Sequence, residues 1–140
     1  MLIDYKRNHK TNQEQSMSNR VSESENIVME VLWQESPLSS HEVVERLRDQ
    51  GWNEKTVKTF LNRLVKKEVL SYQKDGRRYL YSPLVKRDTF LTQESSGFLQ
   101  KVFKGDIKEL LATFVNNKQL SASELEYLKD LLDDKKQKRR

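Results

Sequence analysis

The dipeptide Asp75-Gly76 constrains the fold of this chain more than any other local feature. It separates two short runs of β-prone residues, Leu70–Lys74 and Arg77–Tyr81. An Asp-Gly pair between two such runs is a strong hairpin signal, because glycine accepts the positive φ that a tight turn requires. Apolar residues elsewhere in the chain recur at helical spacing. We therefore predict a mainly α protein with one small β-hairpin.

Three short helices are predicted before the hairpin, each with its own start signal. Ser22 with Glu25, and Ser39 with Glu42, form capping boxes, and Asn53 is a good N-cap for the third helix. Helix, short helix, helix and hairpin is the order of a winged helix-turn-helix. The apolar residues predicted to face the core are Ile27, Val28, Val31, Leu32, Val43, Val44, Leu47, Val57, Phe60, Leu61, Leu64 and Val65.

The third predicted helix carries a basic, polar side opposite its apolar side. The 25 residues from Glu54 to Arg78 contain eight basic and three acidic side chains, and their net charge of +5 equals that of the whole chain. A basic helix side is often only a solvated surface, but this helix is third in a winged order and is followed by two arginines at the hairpin turn. Lysine and arginine can donate to guanine or phosphate, asparagine can pair with adenine, and a threonine methyl group can contact thymine. We therefore predict binding to double-stranded DNA through Lys55, Thr56, Lys58, Thr59, Asn62, Arg63, Lys66, Arg77 and Arg78.

Helical periodicity returns after Pro83. Gly105 separates a long first helix from a second, and Ser121 with Glu124 predicts the start of a third. These helices carry more apolar surface than one small chain can easily cover, and burial across a two-fold axis is the simpler account. We therefore predict a homodimer. The predicted dimerisation residues are Phe90, Leu91, Phe98, Leu99, Val102, Phe103, Leu110, Leu111, Phe114, Leu125, Leu128 and Leu132.

The chain is predicted to contain four parts. Residues 1–20 are polar and are expected to be a disordered arm, and residues 135–140 a frayed basic tail. Between them, we expect a winged-helix DNA-binding domain at 21–83 and a helical dimerisation segment at 84–134. This division suits a chain with 34% charged and 35% hydrophobic residues, in which one large core would be thinly supplied.

The residue types present exclude several classes of function. The chain has no cysteine, which rules out disulfides, cysteine-ligated zinc and thiol catalysis. His9 and His41, the only histidines, fall in separate predicted parts, so we expect no shared metal site. No arrangement of nucleophile and base stands out, and we expect neither a cofactor nor enzyme activity. Tyr72, Tyr79 and Tyr81 are interpreted as cross-strand packing in the hairpin.

No segment indicates a membrane protein. No run approaches the ~18 apolar residues that a bilayer-spanning helix needs, and no signal-peptide core follows the start. We expect a cytoplasmic protein without membrane insertion, for which Met1 and Met17 are both candidate initiators.

The chain from Val31 onward resembles the penicillinase-repressor family, the BlaI, MecI and CopY type of winged-helix transcriptional regulators. The most specific match is the run from Trp52 to Lys67, which reads WNEKTVKTFLNRLVKK. The resemblance covers roughly residues 20–132. The other matching stretches are Val31-Leu32-Trp33, Pro37-Leu38, Gly76 to Val85, Phe98-Leu99 to Gly105, and Leu120-Ser121 to Leu132.

The resemblance implies a repressor that binds DNA as a homodimer. It implies dimerisation through the C-terminal helices, an inverted-repeat operator with TACA/TGTA-like half-sites, and control of β-lactamase or related genes. The third helix, here Lys55 to Arg63, would supply the base and phosphate contacts.

The resemblance also bears on the inducing signal. In β-lactam-responsive members, a membrane sensor protease triggers repressor cleavage between an asparagine and a phenylalanine. The matching bond here is Gly97-Phe98, so the usual residue before the cut is missing, which puts proteolytic induction in question. Copper-responsive members carry a C-terminal cysteine cluster that this chain lacks.

Two alternative functions are compatible with the residues. A copper-gene repressor without the cysteine site is one. A winged-helix adaptor that docks its basic side on an acidic protein is another. Against the adaptor, the uncharged residues Thr56, Thr59 and Asn62 suit base edges better than a generic acidic surface.

Overall fold

The elements follow the predicted order: three short helices, a hairpin and three further helices. The computed structural model describes residues 21–138, and the predicted arm at 1–20, with His9, lies outside the described residues. Two compact units divide the chain, the first ending at Glu94 and the second beginning at Ser95. The elements are α1 (Glu23–Gln34), α2 (Ser40–Arg46), α3 (Glu54–Lys66), β1 (Leu70–Asp75), β2 (Arg78–Pro83), α4 (Arg87–Phe103), α5 (Ile107–Asn116) and α6 (Ala122–Lys138).

Side-chain caps start the first three helices, as the sequence predicts. The Ser22 and Ser39 hydroxyls each accept a hydrogen bond from the amide three residues on, and the glutamate carboxylate there accepts one from the serine amide, so both capping boxes are complete. The Asn53 side chain accepts a hydrogen bond from the Thr56 amide at 2.8 Å. These bonds satisfy amides that the first helical turn leaves without a partner. After α2, a short 3-10 turn ends at Gly51, whose φ of 69° is in the left-handed region.

The inner sides of α1, α2 and α3 pack together with the hairpin to form the core of the first unit. A two-way backbone bridge ties the loop after α1 to β2: the Leu38 amide donates to the Tyr81 carbonyl at 3.1 Å, and the Tyr81 amide donates back at 2.8 Å. The arrangement is the predicted winged helix-turn-helix. The buried apolar residues are Val28, Met29, Leu32, Leu38, Val43, Leu47, Val57, Leu61, Leu64, Val69, Leu70, Tyr81 and Phe90.

The start of α4 belongs to the first unit. The Trp33 indole Nε1 donates a hydrogen bond to the Val85 carbonyl at 3.0 Å, and its ring centroid lies 5.1 Å from that of Phe90. Arg87 forms an ion pair with Glu30 at 3.0 Å. Phe90, which the sequence assigns to the dimer surface, is therefore already buried within the unit, with 7% of its surface exposed. The first residues of the segment predicted for dimerisation at 84–134, up to Glu94, thus belong to the first unit.

The hairpin is shifted by one residue from its predicted position. Asp75 pairs with Arg78, so the two-residue turn is Gly76-Arg77 and the second strand starts one residue later than expected. Of the two turn residues, only Gly76 has a positive φ, at 65°. The turn therefore needs glycine only at its first central position, which leaves the second free for an arginine.

Aromatic packing across the hairpin is confirmed. The Tyr72 ring lies 4.9 Å from that of Tyr79 and 6.3 Å from that of Tyr81, with tilted planes. Such cross-strand pairs stabilise a two-stranded sheet, which is marginal on its own.

A buried ion pair joins the start of α1 to the end of α3. Glu25 is 1% exposed, and its Oε1 accepts hydrogen bonds from the Ser22 amide at 3.0 Å and from Lys67 Nζ at 2.5 Å. Burial raises the pKa of Glu25, but the hydrogen bonds from Lys67 and Ser22 outweigh it, so the pKa lies below its usual value of 4.5. The carboxylate is thus held charged inside the core by a lysine that caps α3.

The second unit consists of amphipathic helices without an interior. Asp106 is the N-cap of α5, and its side chain accepts a hydrogen bond from the Glu109 amide at 3.1 Å. Ser121 with Glu124 forms the predicted capping box of α6. Residues 135–138, expected as part of a frayed tail, continue α6. No side chain from 95 to 138 is buried. Its exposed large apolar residues are Phe98, Val102, Ile107, Leu111, Phe114, Val115, Leu125, Tyr127, Leu131 and Leu132.

Replacing Lys67 by methionine should strongly destabilise the first unit. The substitution removes the cation and leaves the Glu25 carboxylate buried without its partner, a loss of about 3–5 kcal/mol in the free energy of unfolding. Urea denaturation at pH 7, followed by circular dichroism, measures it. Lys66→Met is the matched control, since Lys66 is exposed and should shift the free energy by less than about 0.5 kcal/mol.

Urea denaturation of the native chain and of Lys67→Met at low pH shows whether the stabilisation comes from the ion pair or from the packing of the lysine side chain. Because the folded-state pKa of Glu25 lies below 4.5, the stability it contributes is fully present above 4.5 and is lost as pH falls through the folded pKa. The gap between the native chain and Lys67→Met should therefore narrow on acidification. A gap of constant size from pH 7 to about pH 3 would show that the charge of Glu25 plays no part.

Candidate nucleic-acid interface

α3 turns its apolar side to the core and a polar side to solvent. Val57, Leu61 and Leu64 have no exposed surface, and at 3.6 residues per turn their directions define the inward side of the helix. Four predicted DNA-binding residues lie opposite them and are exposed. We call this set the outer stripe: Lys55, Thr59, Asn62 and Lys66.

The other predicted α3 residues lie at the sides of the outer stripe. Thr56 is half-buried, and its amide is bonded to the N-cap residue. Lys58 Nζ is 3.9 Å from Glu54 Oε1, an exposed pair within one helical turn. Arg63 is exposed and close enough to help lower the pKa of Glu25. The structure therefore brings all seven predicted α3 residues to one helix but places only four at the centre of its outward side.

The outer stripe is chemically available. The side chains of Lys55, Asn62 and Lys66 make no hydrogen bond or ion pair with another residue of 21–138. Thr59 differs, because its hydroxyl donates to the Lys55 backbone carbonyl at 3.1 Å. The stripe thus offers two ammonium groups, one amide and one threonine to an external partner.

The two adjacent arginines at the hairpin tip differ in their side-chain partners. Arg78 donates to the Asp75 carboxylate through Nε at 3.2 Å and through a terminal guanidinium nitrogen at 3.0 Å. Arg77 occupies the turn itself, is exposed, and has no side-chain partner within the described part of the chain. Lys74 Nζ lies 5.8 Å from the centre of the Tyr79 ring, at the outer limit of a cation–π contact. Arg77 is therefore the side chain at the tip that is free to meet a partner.

Polar contacts and one aromatic pair hold the start of α3. The Ser40 hydroxyl donates to Glu54 Oε1 at 3.0 Å, which links the first turn of α2 to that of α3. In the loop between these helices, the Trp52 ring packs edge-on against Phe60 at 5.0 Å. These contacts attach α3, which carries the outer stripe, to α2 and to the loop before α3.

A second ion pair braces α2 against the end of α1. Arg46 donates to both carboxylate oxygens of Glu35, at 2.8 and 2.9 Å. This hydrogen bonding holds the pKa of Glu35 below its usual range. The bidentate geometry fixes direction as well as distance, so it orients α2, the helix that precedes α3.

Sequence reasoning did not predict three interactions that position the site: those of Asp75 with Arg78, Ser40 with Glu54, and Arg46 with Glu35. The Asp75 pair could be found from sequence once the register is known, since opposite charges then face each other at the turn. The contacts of Ser40 with Glu54 and of Arg46 with Glu35 span 14 and 11 residues and leave no periodic signal.

No metal or membrane feature accompanies this surface within residues 21–138. No group of three or more histidine or acidic side chains there could hold a metal ion, and His41 instead lies 3.4 Å from Glu45. None of the helices described is both long and apolar enough to cross a bilayer.

Comparison with known proteins places the chain in a family. The sequence model of the penicillinase repressor family matches residues 21–134. The penicillinase repressor of Bacillus licheniformis is 31% identical over 122 residues, 86% of this chain and 95% of that protein. The penicillinase repressor of Staphylococcus aureus is 33% identical over 115 residues, 81% of this chain and 91% of its own.

A solved structure shares the fold at much lower identity. A mutant of MepR from Staphylococcus aureus superposes with a TM-score of 0.50 over 99% of this chain and 96% of that chain, at 17% identity. This likeness concerns the fold alone. The family match and the two repressors show that the chain belongs to the penicillinase repressor family, a family of transcriptional repressors and not of enzymes.

Proposed function

We propose that this protein represses transcription by binding, as a homodimer in the cytoplasm, an inverted-repeat operator with TACA/TGTA-like half-sites. The observation that carries the proposal is the outer stripe, a row of exposed side chains on the side of α3 opposite the core. By analogy with its relatives, genes for penicillinase or related functions are the proposed targets. An adaptor that docks on acidic proteins would need no uncharged base-reading groups in such a row.

The dimensions of α3 fit a major groove. From Lys55 to Lys66 the helix rises about 16 Å, and the groove is about 12 Å wide. Lys55 and Lys66 would donate to guanine edges or phosphates, and Asn62 would pair with adenine. Arg77, at the hairpin tip, would reach the neighbouring phosphates or the minor groove. Thr56, Lys58 and Arg63, at the sides of the stripe, would contact the groove walls.

The second unit supplies the proposed dimer surface. Between residues 95 and 138 the helices bury no side chain, and isolated helices of 10–17 residues are marginal in water. A second copy would cover their apolar sides and place two α3 helices about one helical turn of DNA, or a multiple, apart. Because Phe90 packs inside the first unit, it is left out of this surface. Of the remaining predicted residues, Leu91 lies in the first unit; those in the second unit are Phe98, Leu99, Val102, Phe103, Leu110, Leu111, Phe114, Leu125, Leu128 and Leu132.

A membrane sensor protease is a further proposed partner. Gly97-Phe98 lies inside α4, and no atom beyond the adjoining residues and helix backbone is within 4 Å of the place where a Gly97 side chain would begin. A cut there would detach residues 98–140 and most of the proposed dimer surface. Glycine offers no side chain to a specificity pocket, so we propose that a protease adapted to asparagine would cut this bond slowly.

Asn62→Ala should reduce the preference for operator over scrambled DNA. Loss of a bidentate contact to adenine costs roughly 1–3 kcal/mol of discrimination. Fluorescence anisotropy with a duplex carrying inverted TACA/TGTA half-sites, and with a scrambled duplex of equal length, measures both affinities. Asn116→Ala, at the end of α5, is the control. Equal losses on the two duplexes would remove Asn62 from base reading.

Arg77→Ala and Arg78→Ala should behave differently. Arg77 is free at the tip, so its loss should weaken both duplexes alike and lower the slope of log affinity against log salt by about 0.9 per protomer, or about 1.8 for the dimer. Arg78 is neutralised by Asp75, so its loss should change the slope less. Titrations across a salt series test the pair. A larger slope change for Arg78→Ala would contradict this division of roles.

Charged residues on the exposed side of α5 should abolish dimerisation. Leu111→Glu with Phe114→Glu places two carboxylates on the proposed dimer surface, where they would lose water without gaining partners. The double variant should sediment as a monomer, and operator affinity should fall by a factor of ~10² or more because simultaneous binding to both half-sites is lost. Lys108→Glu, on the same helix, is the control. A double variant that stays dimeric would move the interface elsewhere.

A further inference from the structure

The two threonines of α3 have different surroundings. Thr56 is half-buried beside the N-cap, whereas Thr59 is exposed near the centre of the outer stripe. The Thr59 hydroxyl donates to the Lys55 backbone carbonyl, four residues back, at 3.1 Å. Within residues 21–138, no such bond constrains the hydroxyl of Thr56.

This hydrogen bond determines which group Thr59 can present. A hydroxyl has one proton, and here it is directed at the helix backbone, so it is not available to a base acceptor. The γ-methyl group and the acceptor lone pairs of the hydroxyl oxygen are then the parts of the side chain left for an external partner. Among the groups that base pairs display in the major groove, the C5 methyl of thymine is the apolar one.

We infer that Thr59 is a specificity-determining residue that recognises a thymine by contact between two methyl groups and not by a hydrogen bond. The inference rests on the proposed operator function. Neighbouring Lys55 and Asn62 carry donors, so the methyl group is an apolar point within a polar row. A pyrimidine without the C5 methyl at this position leaves the Thr59 methyl against water.

Two substitutions separate the methyl group from the hydroxyl. Thr59→Ser keeps the hydroxyl and loses the methyl group, and Thr59→Val keeps a methyl group and loses the hydroxyl. On the DNA side, uracil in place of thymine removes only the C5 methyl. The probes are a duplex with inverted TACA/TGTA half-sites, a set in which one thymine position of both half-sites carries uracil, and a scrambled duplex.

One uracil position should weaken binding of the native protein. Burial of a single methyl group is worth about a fourfold change in affinity, so the loss at both half-sites should reach about fifteenfold. Thr59→Val should keep this sensitivity to uracil. Thr59→Ser should bind the thymine and uracil duplexes equally, both about as weakly as the native protein binds uracil DNA. Thermal denaturation checks that all variants are folded.

Thr92 provides the matched control. It is an exposed threonine of α4 whose hydroxyl also donates to the carbonyl four residues back, Asp88, at 3.0 Å. Thr92→Ser should leave both the operator affinity and the sensitivity to uracil unchanged.

The outcomes distinguish this inference from the function beneath it. If Thr59→Ser keeps the uracil penalty, if Thr59→Val loses it, or if no uracil position affects the native protein, then Thr59 does not read a methyl group although operator binding stands. If the native protein binds the duplex with inverted TACA/TGTA half-sites no more tightly than scrambled DNA, the proposed operator is wrong and the inference fails with it.

Discussion

The rotation of α3 about its own axis is constrained by its buried apolar side and by the ion pair between Glu25 and Lys67. Lys67 is the residue that caps α3, and its ammonium group turns inward to a carboxylate that is almost fully buried. A turn of the helix by one residue, about 100°, would expose part of its apolar side and pull this cation away from its partner. A buried ion pair adds little net stability compared with apolar packing, but it penalises alternatives that separate the charges. The outer stripe faces solvent in one direction because the opposite direction is specified in this way.

Ion pairs with carboxylates also change where the positive charge of residues 54–78 is available to a partner. By charge count, the residues from Glu54 to Arg78 carry +5. Three of the eight cations, Lys58, Lys67 and Arg78, lie against carboxylates in the folded chain. The positive charge that remains for a polyanion is therefore concentrated on the outer stripe and the hairpin tip. A field of this kind accelerates encounter with DNA and falls with added salt.

Local signals predicted most of the fold, and tertiary contacts account for what they missed. The capping boxes, the apolar spacing and the glycine turn each act within a few residues, so the helices and the hairpin could be predicted. The one-residue shift of the turn came from the pairing of Asp75 with Arg78, which depends on strand register. Phe90 was assigned to a dimer surface because its apolar spacing is the same whether a partner chain or Trp33 covers it. In the candidate site, the residues could be named but not ranked, because spacing alone does not tell a paired cation from a free one.

The absence of any buried side chain between residues 95 and 138 makes this half of the chain unlike the first. Apolar burial is the main favourable term in folding, and these helices obtain it only by meeting another surface. If that surface is the second copy proposed above, their stability is a property of the solution as well as of the sequence, because the equilibrium constant for ordering them carries units of concentration. Below a characteristic concentration of chains, the first unit would persist as a folded body attached to loosely ordered helices. At low expression, the concentration of complete dimers would rise as the square of the amount of chain synthesised, which gives a cell a steeper-than-linear response without a ligand.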